Sequence, residues 1–123
     1  MTWTWNQSNG ILSHDGKYVA TGYSGHGSGV NNPSMQNVPN VGPLPRGAWT
    51  IGEMIPKHPD LGPVVMPLEP DEGTDTFGRG GFFIHGDDVR APGMEEGSKG
   101  CIVLPRVARQ AMADSQDNQL EVA

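Results

Sequence analysis

Phe82-Phe83-Ile84-His85-Gly86 and, one loop later, Ser98-Lys99-Gly100-Cys101-Ile102-Val103-Leu104 are the two stretches that decide how this chain folds. Each is a short apolar run next to glycine. Such runs read as buried β-strands, since a helix ordinarily needs about ten residues or more. His85 closes the first run and Cys101 opens the second. Two strand ends joined by a single loop can lie side by side, so an imidazole and a thiol can meet there. Gly100 permits a backbone turn that a bulkier residue resists, and such a turn can aim N–H groups at a developing oxyanion.

Upstream, residues 1–25 read as a β-meander. Trp3 and Trp5 alternate with polar residues, Ile11-Leu12 follow, and Asn9-Gly10 and Asp15-Gly16 are hairpin-closing dipeptides. His14 is expected at the second turn, facing solvent, with Lys17-Tyr18-Val19-Ala20 as the return strand. From Gly22 to Pro45 the chain has few aliphatic residues, and a loop that long in a small domain is commonly functional or disordered. Ala48-Trp49-Thr50-Ile51 and Val64-Val65-Met66-Pro67-Leu68 read as strands, the latter's proline placing it at an edge or a bend. Downstream of Cys101, Pro105 can start a short helix running through Met112, with Val107, Ala108, Ala111 and Met112 on one side. Residues 118–122 form a last strand with Leu120 and Val122 inward. Trp3, Trp5 and Trp49 are expected in the core.

The 123 residues suit one domain, taken as residues 1–123, and leave no room for a second. Eighteen glycines and 11 prolines interleaved with short apolar blocks favour strands and tight turns. The expected class is therefore mainly β, with long loops and one short C-terminal helix. A net charge of −6 without a basic run disfavours nucleic-acid binding, which depends on neutralising phosphates. No apolar run approaches the roughly 20 residues that span a bilayer. The stretch Met1-Thr2-Trp3-Thr4-Trp5-Asn6 has neither the basic region nor the apolar core of a secretory signal. Synthesis in the cytoplasm without such a signal is the expectation, and action elsewhere requires another export route.

A single cysteine excludes an internal disulfide and any zinc site built from several thiolates. A lone cysteine is ordinarily an inert apolar residue. It becomes a nucleophile when an imidazole or aligned N–H groups favour its thiolate. His85 as base and Cys101 as nucleophile is therefore the leading assignment. Asp87 and Asp88 beside His85 open a second one, a divalent-metal site using His85, Asp87 and His26. No metal or other cofactor is required by the leading assignment. Tyr23, Ser24 and Asn32 are candidates to line a pocket, the alternative being a plain surface loop made flexible by glycine.

The strand ending in His85-Gly86 followed by Ser98-Lys99-Gly100-Cys101 resembles the paired signature of YkuD-type L,D-transpeptidases. Gly22-Tyr23-Ser24-Gly25, Asn31-Asn32-Pro33, Gly42-Pro43-Leu44-Pro45-Arg46-Gly47 and Phe77-Gly78-Arg79 narrow it. Together they resemble the L,D-transpeptidase and L,D-carboxypeptidase effectors delivered by type VI secretion systems. The resemblance covers roughly residues 3 to 105. It implies a compact β-sandwich or barrel-like catalytic domain in which Cys101 attacks the peptidoglycan stem peptide between diaminopimelate and D-alanine. His85 would be the base, Ser98 its orienter, and N–H groups at Gly100 and Cys101 the oxyanion hole. Water as acceptor gives an L,D-carboxypeptidase, and another amine gives an L,D-transpeptidase. The resemblance further implies an antibacterial toxin acting in a target's periplasm, with secretion machinery and a cognate immunity protein as partners; a phage-encoded lysis protein would look the same. Gly86 and Asp87 are placed in the substrate site. Where relatives commonly carry Ile-Arg after the cysteine, this chain has Ile102-Val103. Arg79 and Arg106 then become the candidates for substrate carboxylates. The loop between His85 and Ser98 is longer than expected for the effectors. A non-catalytic cell-wall binding module and a metal-dependent amidase are the competing functions.

Overall fold

The computed structural model describes residues 2–86 and 100–123; Asp87, Asp88, Ser98 and Lys99 lie outside the described residues. The N-terminal meander forms as its turn dipeptides dictate. β1 (Trp3–Trp5), β2 (Ile11–His14) and β3 (Lys17–Thr21) pair antiparallel in succession. Gly10 (φ 72), Asp15 (φ 50) and Gly16 (φ 82) supply the left-handed conformations of the two connections. Alternation within β1 and the last strand sends Trp3, Trp5, Leu120 and Val122 inward.

After β4 (Tyr23–Ser24), residues 22–45 contain two 3₁₀ turns, Gly27–Gly29 and Pro33–Met35. The chain returns to the sheet in β5 (Gly47–Ile51), β6 (Ile55–His58) and β7 (Gly62–Pro70), and then β8 (Phe83–His85) and β9 (Ile102–Val103). α1 (Arg106–Ser115) and β10 (Gln119–Val122) complete the described elements. The strands follow one path, β3-β2-β1-β10-β5-β7-β8-β9-β4, with β6 also on β7. Its two outermost strands, β3 and β4, are separated in sequence by Gly22 alone, so the path curls back toward itself. A Cβ on Gly22 would collide with the Val103 carbonyl oxygen, so only glycine fits at this closure.

Two expectations need correcting and a third is narrowed. Of the edge and the bend open to Pro67, the edge is excluded, because β7 lies between β5 and β8. Pro67 falls where β7 changes partner, from β6 over residues 62–65 to β5 over residues 68–70. The missing proline N–H therefore coincides with a break in the ladder. His14 does not face solvent as a turn residue: it stacks on Trp3 at 4.0 Å and its Nε2 lies 2.8 Å from Asp117 Oδ2. In α1, Val107 is 83% exposed and Ala111 is also exposed, while Ala108, Arg109 and Met112 are buried. That stripe still has helical spacing, but it is turned by one position. Arg109 occupies an inward place because its guanidinium finds backbone carbonyls there. Trp49, fully buried, donates to Pro45 O at 3.0 Å and meets Phe82 edge-on at 5.4 Å.

Candidate active site

β8 and β9 run parallel, with Ile84 level with Ile102 and His85 level with Val103. Leu104 N donates to His85 O at 3.1 Å, extending the ladder. Carrying this register back one residue sets Cys101 level with Phe83, and Phe83 N lies 3.3 Å from Cys101 Sγ. Side chains alternate across a strand, so His85 and Cys101 project to one side of the pair while the buried Ile84 and Ile102 project to the other.

His85 is 2% exposed and its Nδ1 lies 2.6 Å from Gly86 O. A carbonyl only accepts, so Nδ1 carries a proton, and in the neutral ring the lone pair is then on Nε2. Cys101 is half-buried. Burial pushes its thiol pKa up; the Phe83 N–H and then the Arg79 charge oppose that rise without cancelling it. These surroundings favour the neutral thiol over the thiolate.

Gly100 carries φ +122, and a Cβ there would strike Arg79 Nη2 and lie 2.8 Å from Phe82 Cε1. Glycine before the cysteine thus lets Arg79 and Phe82 close against the backbone. Arg79 donates through Nη1 to Pro43 O at 2.9 Å and to Gln36 O, and through Nη2 to Gly42 O at 2.9 Å. Its guanidinium carbon lies 5.2 Å from the centre of the Phe82 ring. Burial lowers the Arg79 pKa, and the neighbouring Cys101 acts in the opposite sense. Arg79 therefore braces the long loop and brings a positive charge to the sulfur.

Ser24 is fully buried, donates to Gly100 O at 3.1 Å and accepts from Leu44 N at 2.8 Å. It fixes the turn before Cys101 instead of opening onto a pocket. Tyr23 pairs with Val103 and borders a cleft at that end of β9. Asn32 is not brought to this group: its Oδ1 accepts from Ser34 N at 3.2 Å and its Nδ2 donates to Ser28 O at 3.1 Å. The roles given to Ser98 and Asp87 fall outside the described residues, and with them the proposed metal set of His85, Asp87 and His26. Among the described residues one trio gathers ligand-type atoms within 4.8 Å, namely His14, Asp15 and Asp117. It lies between the end of β2 and the link from α1 to β10, and His14 Nε2 is already paired with Asp117.

Arg109 was not singled out by sequence reasoning. Its Nε donates to Leu104 O at 3.0 Å, and its Nη1 to Pro63 O at 2.6 Å and Val64 O at 3.0 Å. Val64, β-branched yet at φ 54, holds a conformation that such residues rarely adopt. A Cβ on Gly86 would lie 2.7 Å from Arg109 Nη2, so glycine after His85 makes room for this guanidinium. The available signal was a charged residue in the inward stripe of an amphipathic helix.

The family profile of the Tlde1 domain matches residues 18–122. The chain belongs to the Tlde1 domain family. This is the type VI secretion L,D-transpeptidase effector family, so the resemblance drawn from the two signature stretches holds. The fold of this Tlde1 domain is shared by a solved L,D-transpeptidase from Mycobacterium smegmatis, with a TM-score of 0.52 at 16% identity. That match covers 99% of this chain and 58% of the other, so the Tlde1 domain spans little more than half of that protein. No curated protein matches the sequence. Among the described residues, no helix of the Tlde1 domain is long and apolar enough to cross a membrane.

Proposed function

We propose that this Tlde1 domain is a cysteine-dependent peptidoglycan enzyme with Cys101 as nucleophile and His85 as general base. The observation that carries the reading is the parallel register of β8 and β9, which sets both side chains on one side of two hydrogen-bonded strands. The raised thiol pKa supports a mechanism in which proton removal accompanies attack. His85, with its Nδ1 proton held by Gly86 O, offers Nε2 for that proton. Cys101 Sγ attacks the carbonyl carbon of the third stem residue, diaminopimelate, and the thiol proton passes to His85. The tetrahedral oxyanion is received by N–H groups at Gly100 and Cys101. Collapse breaks the bond to D-alanine, whose departing amine takes the proton from His85, leaving a thioester. Water then releases a tripeptide and restores the thiol, or a second amine takes the acyl group and forms an exchanged or cross-linked product. Arg79 lowers the cost of negative charge on sulfur. Delivery by a type VI system to a target periplasm, with an immunity protein in the producer, belongs to the same proposal.

The experiment is mass spectrometry of disaccharide-tetrapeptide muropeptides after incubation with wild type and with Cys101→Ala. Loss of D-alanine, or its replacement by an added D-amino acid, is expected with wild type only. Unchanged muropeptides with folded wild-type protein, or turnover retained in Cys101→Ala, would overturn the assignment.

A further inference from the structure

Two positive charges and a helix start face a single cleft at the far end of β9. The cleft, of about 390 Å³, lies where β4, β9 and the start of α1 converge, and its charged lining residues are Arg106 and Arg109. Among the described residues no acid lines it, although the chain carries a net charge of −6. Arg109 is 6% exposed, and its hydrogen bonds go to three neutral carbonyls through Nε and Nη1. Its Nη2 makes no hydrogen bond among the described residues and lies against Gly86, and Arg109 itself lines the cleft. Nη2 is not among the fully buried unpaired atoms, so it reaches solvent, where a carboxylate can take a charge-assisted hydrogen bond from it. Arg106 sharpens the point. Burial is the larger cause lowering the Arg109 pKa and the neighbouring Arg106 charge the second, so the two cations repel. Neither forms an ion pair among the described residues. The first turn of α1 has no acidic residue, and its Pro105 cap makes no side-chain hydrogen bond, so the free N–H groups add to the positive field.

The cleft also sits in register with the thiol. Val103 lines it, is paired with Tyr23, and projects to the same side as Cys101 two positions earlier. At roughly 3.3 Å per residue, the backbone of Val103, at the near edge of the cleft, lies about 7 Å along the strand from that of Cys101. The D-alanine carboxylate lies only about 3.5 Å beyond a scissile bond, one residue's length, and is too near. The far carboxylate of diaminopimelate lies about 7 Å from the scissile carbonyl when its side chain is extended.

Resting on the proposed reaction, we infer that this cleft is a carboxylate subsite in which Arg106 and Arg109 Nη2 bind the distal carboxylate of diaminopimelate. The subsite would select diaminopimelate-type stems over lysine-type stems.

The test uses Cys101→Ala protein, which cannot consume the ligand, titrated calorimetrically with three synthetic stem tetrapeptides. They carry diaminopimelate, diaminopimelate amidated on its distal carboxylate, or lysine at the third position. The first is expected to bind about ten- to a hundredfold more tightly than the others, the range for a charge-assisted contact. That preference should vanish in Arg106→Gln and shrink in Arg109→Lys, which keeps the charge and loses Nη2. Arg106 is exposed, so its variant folds even if the Arg109 variant does not. Equal affinity for all three peptides, no binding of any, or a preference unchanged in Arg106→Gln overturns the subsite. Preference without muropeptide turnover by wild type would keep the subsite and remove the reaction, and turnover without preference would do the reverse.

Discussion

Replacing Gly100 by alanine tests the packing beside the thiol in a way that separates backbone strain from steric contact. At φ +122 an alanine adopts a conformation that costs about 1–3 kcal/mol. Its Cβ also meets Arg79 Nη2 and Phe82 Cε1, the latter at 2.8 Å, with Phe82 wedged against the buried Trp49. Overpacking of this kind costs about 1–3 kcal/mol. The smaller entropy of the unfolded alanine chain returns about 0.4–1 kcal/mol. The net loss is about 1–6 kcal/mol, a large part of the stability of a small domain. Gly62 is the control, because it sits at φ +85 with nothing within 4 Å of an added Cβ. Gly62→Ala therefore carries the strain without the contact, so the two variants should differ by about 1–3 kcal/mol. Urea unfolding followed by tryptophan fluorescence reads both, since Trp3, Trp5 and Trp49 are all buried. Equal unfolding midpoints for the two variants would refute the claim that Gly100 is required by Arg79 and Phe82.

The rate of Cys101 alkylation by iodoacetamide should have its pH midpoint above that of an ordinary thiol, and Arg79→Gln should move it higher still. A midpoint at or below the free-cysteine value contradicts the buried-thiol account. Because the folded thiol pKa is raised, its contribution to stability is complete below the unfolded pKa and is lost as pH rises through the folded one. Wild type should accordingly lose stability relative to Cys101→Ala on the alkaline side, as denaturation at stepped pH will show. Ser24→Ala removes the bond to Gly100 O and strands the buried Leu44 N, and should cost about 1–3 kcal/mol by the same denaturation assay; a loss under about 0.5 kcal/mol contradicts the clamp. Asp71 accepts from Thr50 Oγ1 and Gln119 Nε2, and these bonds, Thr50's first, lower its pKa. Its advantage over Asp71→Asn should be full above the unfolded carboxylate pKa and vanish as pH falls through the folded one. A pH-independent difference between the two proteins argues against this.

The strands and turns were legible because their signals are local. Trp3 and Trp5 alternate with polar neighbours, Asn9-Gly10 and Asp15-Gly16 supply left-handed residues, and Leu120 and Val122 share one face. That His85 and Cys101 stand at the ends of two short strands was legible from the apolar runs, although only the parallel register of β8 and β9 sets their side. Long-range partners were not legible. That β1 lies parallel to β10, and that Arg79 reaches across to Gln36, Gly42 and Pro43, depends on segments far apart in sequence. A guanidinium has five donors on a flexible stem, and its partners are chosen only once the backbone carbonyls around it are in place. Arg79 was read from sequence as a substrate ligand, whereas its hydrogen bonds reach backbone carbonyls in the long loop. Arg109 is turned inward only because α1 packs on β7 with Ala108 and Met112 buried. The sequence alone thus determined the strands, their turns and the signature residues. Tertiary structure decided which charged groups brace the site and which face the cleft, because it alone fixes where the free carbonyls lie.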